Sequence, residues 1–243
     1  STDIVVTYFV NPKMLKQIQE GKNPLPMAAH EEVLEKYQIS RVHLARELAQ
    51  QINKGEFSWE KFGGTHPKIP GNRLCADMHQ RLLDLAWSGP MPSSKRKHHL
   101  PQNLIDPHSF TEGRFMNPSK IKLTKGWKFS EPEWQSLSGG KRSRYLGKPL
   151  LYSVDNSHPL RFEFEGRAIG AFILAGPDAT KLRVSIDGQA QEFELFHHYS
   201  KNLHYPRSVI FAHNLKPGTH TIELKPMITD DRNAVRIMEF CIQ

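Results

Sequence analysis

The chain has 243 residues, 38% apolar and 24% charged, with 33 Lys and Arg against 25 Asp and Glu and a formal net charge of +8. This composition excludes disorder and a collagen-like repeat, and the positive balance favours anionic partners without choosing among nucleic acid, an acidic glycan and a lipid surface. Cys75 and Cys241 have no metal-type spacing and read as small buried hydrophobes, and no apolar run reaches membrane-spanning length.

The run IVVTYFV, Ile4 to Val10, is nearly continuous in β-branched and aromatic residues, which predicts a strand buried on both faces of a parallel sheet. After Pro24 and Pro26, MAAHEEVLEKY spaces Ala28, Val33 and Tyr37 as one helical face, with Glu31, Glu32 and Glu35 outward. Ile39 to Leu44 predicts a short second strand, and LARELAQQINKG a helix ending at Gly55. FSWEKFGG then leads into Thr65, His66 and Pro67, with Trp59 and Phe62 expected to pack beneath, and Pro70 opens a helix through NRLCADMHQRLLDLAW. A parallel sheet of only two strands is not stable alone in water, so the first strand is expected to have further neighbours on a segment that precedes it.

A loop reading THP ahead of a Gly-Asn-Arg-Leu helix resembles the last conserved block of the SGNH (GDSL-type) hydrolases. The string alone also describes an ordinary surface turn; the order strand, helix, strand, helix, Trp-containing loop, THP, helix is what matches the closing half of that family's domain. The resemblance implies that residues 1–89 are part of a three-layer α/β/α domain with a parallel sheet. It implies His66 as general base of a serine esterase, with the nucleophile and oxyanion hole on a missing N-terminal half, since no GDS or GxND string occurs here. It further implies a carbohydrate O-acetyl esterase acting on an acylated carbohydrate, with no cofactor or metal. The protein would be secreted or periplasmic, with its leader absent from this chain. One departure stands out. The aspartate usually found three residues before the histidine is replaced by Gly63, which leaves Glu60, a backbone carbonyl or a distant carboxylate to orient the ring, or a dyad.

From Gly89 the chain becomes rich in Pro, Ser and basic residues, including Lys95 to His99, and residues 90–125 read as a linker and surface crossing with a short strand or extended arm in GRFMNPSKIKL. Residues 126–243 carry eight short alternating segments, LLYSV, LRFEFEG, AIGAFILAG, KLRVSID, QEFELF, RSVIFAHNL, HTIELKP and AVRIMEFCI. They are separated by turn residues such as Asp155-Asn156 and Pro217-Gly218, and Asp187-Gly188 predicts a tight hairpin. The pattern predicts a jelly-roll-like antiparallel β-sandwich, and it resembles the sandwich that accompanies some SGNH hydrolases and the carbohydrate-binding modules. Within FHHYSKNLHYPRS, the residues Tyr199, His204, Tyr205 and Arg207 are candidates for contacting sugar, together with His197 and His198. The histidine spacing matches no structural zinc template, and a plain loop or packing against the first domain stays open. Two other classes remain: a non-catalytic glycan-binding protein on a degenerate hydrolase scaffold, and a nucleic-acid binder, which only the charge favours because no RNP, zinc-finger or helix-turn-helix pattern is present.

Overall fold

A computed structural model describes residues 3–90, 92–95, 97–155 and 158–243, and the chain divides into two compact units, 1–107 and 108–243. Residues 108–125, within the stretch read as a linker, belong to the second unit. Asn156 of the expected turn and Arg96 of the basic run lie outside the described residues.

The first unit pairs β1 (Val5–Thr7) in parallel with β2 (Ser40–Val42), joined by α1 (Pro12–Gln19) and α2 (Leu25–Lys36). Three helices follow: α3 (Leu44–Asn53), α4 (Trp59–Phe62) and α5 (Ile69–Ala86). The sequence reading placed no element at α1. It forms because the Asn11 side chain accepts from the Met14 amide at 2.9 Å and Pro12 fills the first turn, where its missing N–H costs nothing. At the centre lies α3, whose Leu44, Ala45, Leu48 and Ala49 are buried against Tyr8, Val10, Leu15, Met27, Leu34 and Phe62. Burying each leucine contributes about 1.5–3 kcal/mol before the entropic cost.

Two expectations change here. Among the described residues β1 pairs only with β2, and Ile4 is 60% exposed, with Val5 and Phe9 also open, so the strand is not buried on both faces. The inward face of α2 carries Met27 and Leu34, while Val33 is exposed and Glu31 turns inward. The weak apolar periodicity of that helix left its phase ambiguous, and an ion-paired carboxylate took the inward position.

The second unit is two antiparallel sheets face to face. One contains β3 (Arg114–Met116), β4 (Trp127–Ser130), β5 (Leu150–Ser153), β7 (Ile169–Ala175), β10 (Tyr205–Ala212) and β12 (Arg236–Ile242) in the path β10-β7-β12-β5-β4, with β3 also on β12. The other runs β6-β11-β8-β9, from β6 (Leu160–Gly166), β8 (Lys181–Ile186), β9 (Gln189–Glu194) and β11 (Gly218–Met227). Ile169, Ala171, Ile173, Phe211, Ile237 and Phe240 meet Leu160, Phe164, Leu182, Val184, Ile222 and Leu224 in the core, the alternation that period-two patterning demands. Asp187 (φ 48°) and Gly188 (φ 85°) make the tight turn between β8 and β9. Strand β7 is covered on its second face too, because Trp134 and Tyr145 pack there on Leu150 and Leu174.

Candidate functional site

The loop bearing His66 is closed by backbone bonds at both ends. Ser58 caps α4 by accepting from the Lys61 amide at 3.1 Å, and Gly63, at φ 108°, ends it with its amide on Trp59 O at 3.1 Å. The chain then doubles back so that the Lys68 amide donates to Phe62 O at 2.9 Å, and α5 starts with the Asn72 amide on Lys68 O at 2.8 Å. Phe62, fully buried and stacked on Trp59 at 5.7 Å, anchors the base of the loop. A Cβ on Gly71 would lie 2.4 Å from Phe62 O, so only glycine lets the first turn of α5 approach this closely.

Thr65 and His66 are exposed at the tip of this closed loop, and His66 has no hydrogen-bond or ion-pair partner among the described residues. Glu60 is exposed on α4, and no bond joins it to His66. The backbone also explains Gly63. A Cβ there would sit 2.3 Å from the Lys68 amide nitrogen, and the positive φ disfavours any side chain, so this loop conformation admits no aspartate at the position.

Sequence reasoning missed a partly buried polar cluster just past the C-terminal ends of β1 and β2. Tyr8 and His43, each the residue following its strand, stack at 4.7 Å. One oxygen of Glu31 accepts from His43 Nε2 at 2.9 Å and from Arg46 at 2.8 Å, and its other oxygen accepts from Asn23 at 2.8 Å. Burial pushes the Glu31 carboxyl up, but the bonds from Asn23 and His43 and the Arg46 charge outweigh it and leave the group below its ordinary value. Burial lowers His43, with the Glu31 bond opposing, and its Nε2 faces the Glu31 carboxylate, which can only accept. Nearby, His79 receives Thr7 Oγ1 at 2.9 Å and donates from Nδ1 to Cys75 O at 2.8 Å. The only signal in the sequence was the placement of a Tyr and a His directly after two strands.

In the sandwich, Tyr199 and Tyr205 join His197 and His198 in a ring cluster. His197 stacks on Tyr205 at 4.9 Å, His198 lies 4.0 Å from Tyr199, and the two tyrosines are 5.3 Å apart, with Tyr199 58% exposed. His204 is elsewhere: at 1% exposure it donates from Nε2 to Ser138 O at 3.0 Å and meets Trp134 edge-on, which leaves it no surface to offer a ligand. Arg207 spends its guanidinium on the carbonyls of Leu195 and Phe196 at 3.4 and 3.3 Å, fixing the loop that carries the rings. Beneath these, Asp178 and Arg236 form a bidentate pair at 2.8 and 2.6 Å. Among the described residues there is no group of three or more His, Cys, Asp or Glu suited to a metal, and no helix long and apolar enough to cross a membrane.

No protein-family model matches the chain, and no curated protein matches it. Solved structures do. Two structures of a two-domain esterase (CEX) active on acetylated mannans, one co-crystallized with mannopentaose, superpose with TM-scores of 0.67 and 0.66 at 12% identity, covering 98% of this chain and 62% of theirs. A family two carbohydrate esterase from Cellvibrio japonicus aligns over 54% of this chain and 33% of its own at 11% identity, with a TM-score of 0.36, too partial to bear on the argument. The chain thus has an esterase-related fold, a helical α/β unit followed by a β-sandwich, and it spans less than two thirds of the length of the esterase it matches.

Proposed function

We propose that the protein hydrolyses O-acyl esters of a polysaccharide or oligosaccharide by the SGNH-type mechanism, with His66 as general base and the serine nucleophile on a segment preceding these residues. The observation that carries this reading is His66 itself, unpartnered at the tip of a loop that two glycines, three backbone bonds and the Ser58 cap hold closed, in a chain of esterase-related fold. The open apolar edge of β1 supports a sheet continued by that preceding segment. In the reaction the serine hydroxyl attacks the acyl carbonyl carbon while His66 takes its proton, and the tetrahedral intermediate collapses as His66 returns the proton to the departing sugar oxygen. Water then repeats the sequence, again losing its proton to His66, and releases the carboxylic acid and free serine. With position 63 closed to a carboxylate and neither Glu60 nor a described backbone carbonyl bonded to the ring, an acid on the preceding segment orients His66. Secretion or a periplasmic location follows from a polysaccharide substrate.

A second reading, a glycan-binding protein without catalysis, is favoured by the glycine at position 63 and by the ring cluster of the sandwich. Incubating the complete protein with a fluorophosphonate and mapping the labelled peptide separates the two. A labelled serine in the preceding segment supports the esterase; deacetylation of a glycan without any such label overturns the serine mechanism, and neither label nor deacetylation assigns the binder.

A further inference from the structure

The outer face of β8 and β11 holds three cations, Lys181, Arg183 and Lys225, that form no ion pair among the described residues. Arg183 lies directly opposite Lys225 in the antiparallel register, and Lys181 lies opposite Met227 two residues along the same face. Like charges facing each other across two strands destabilise the pair. On the other side of β8, Glu192 faces Arg183 and Glu194 faces Lys181, but Glu194 pairs with Arg232, Glu223 pairs with Arg161, and among the described residues no ion pair reaches Lys181, Arg183 or Lys225. All three are exposed, while Leu182 and Leu224 alternate into the core, so the arrangement is not a by-product of packing.

These residues line a cavity of about 500 Å³ together with Met227, Ile228 and Arg232. Arg232 is held in place, donating from Nε to Ala179 O at 2.7 Å and lying over the Phe196 ring at 4.9 Å. Phe196 precedes His197, which stacks on Tyr205, so the ring cluster begins one residue beyond the ring that Arg232 of the cavity wall covers. Cations on one wall, an apolar patch from Met227 and Ile228, and aromatic rings beyond suit a ligand with acidic groups on rings that have apolar faces. Intervening Glu192, Glu194 and Glu223 break the positive field, which fits widely spaced acidic groups better than a phosphate at every nucleotide.

We propose that this groove binds a carboxylated or sulfated polysaccharide, with acidic groups on Lys181, Arg183 and Lys225 and the chain running on to Tyr199 and Tyr205. The inference does not depend on ester hydrolysis. Affinity electrophoresis of the whole protein in gels containing polygalacturonate, a sulfated glucan or neutral glucomannan tests it, with the Arg183→Ala/Lys225→Ala double variant beside the parent. The expected result is retardation in an acidic gel, with the gel that retards naming the acidic group, and weakening by about tenfold or more in the double variant, since two charge-assisted bonds are removed. Release of acid from a small aryl ester would be unchanged, and because both side chains are exposed and lack an ion pair, the double variant should melt as the parent does, so loss of folding cannot mimic the result. Equal retardation of parent and double variant, no retardation in either acidic gel, or tighter binding to duplex DNA at the same ionic strength overturns the proposal.

Discussion

Replacing Gly63 by Asp restores the side chain that the SGNH block has at this position, and the structure predicts that it harms the protein. Gly63 has φ 108°, a region that costs a non-glycine residue about 1–3 kcal/mol. Its Cβ would also lie 2.3 Å from the Lys68 amide nitrogen and 2.8 Å from Lys68 Cβ. Relieving that overlap means opening the loop and losing the Lys68 amide to Phe62 O bond, which adds roughly 1–3 kcal/mol. Gly64 supplies the control, because it also has positive φ, 89°, but nothing lies within 4 Å of its Cβ position. Gly63→Asp is thus expected to cost about 2–6 kcal/mol and Gly64→Asp about 1–3 kcal/mol, with the former the more harmful by roughly 1–3 kcal/mol. Native-state hydrogen exchange read at the amides of α3 and α5 reports this unit separately from the sandwich. Equal protection in the two variants, or a Gly63→Asp protein as protected as the parent, would refute the loop geometry.

Two further outcomes concern charge. Glu31→Ala leaves the His43 Nε2–H and the Asn23 amide without their acceptor, at a cost of about 2–3 kcal/mol in urea unfolding of the first unit; a midpoint unchanged from the parent would show that the cluster contributes nothing. Since burial lowers His43 below its ordinary value of 6.5, the unfolded chain takes up the proton first, and that stability is present above 6.5 and lost as pH falls below it. The sandwich contains an opposite case. Both nitrogens of His220 face acceptors, Asp187 Oδ2 and Lys216 O, and the Asp187 bond raises its pKa, so its contribution is complete below 6.5 and lost as pH rises through the raised folded value. His220→Gln should remove that part of the pH dependence of the sandwich, while His204, lowered by burial, keeps its opposite slope; an identical pH profile in the variant would count against the pair.

The sequence showed those features that rest on local rules. The period-two runs after Leu150, the Asp187-Gly188 turn, the Gly-Gly entry to His66 and the proline start of α5 each follow from backbone chemistry within a few residues. What stayed hidden depended on partners far along the chain. The inward turn of Glu31 is decided by Asn23, His43 and Arg46, and the burial of His204 by Ser138 and Trp134, none of which a periodicity encodes. The Gly63 departure was visible as a letter, but its cause, the return of Lys68 to Phe62, needed three dimensions.

The most direct test of the central claim is acetate release from an acetylated glycan by the complete protein carrying His66→Ala. With the base removed, kcat/KM should fall by a factor on the order of 10³ or more, while hydrogen exchange at α5 stays as in the parent, because His66 is exposed and bonds to nothing in this unit. Activity within about tenfold of the parent would contradict the assignment of His66 as the general base.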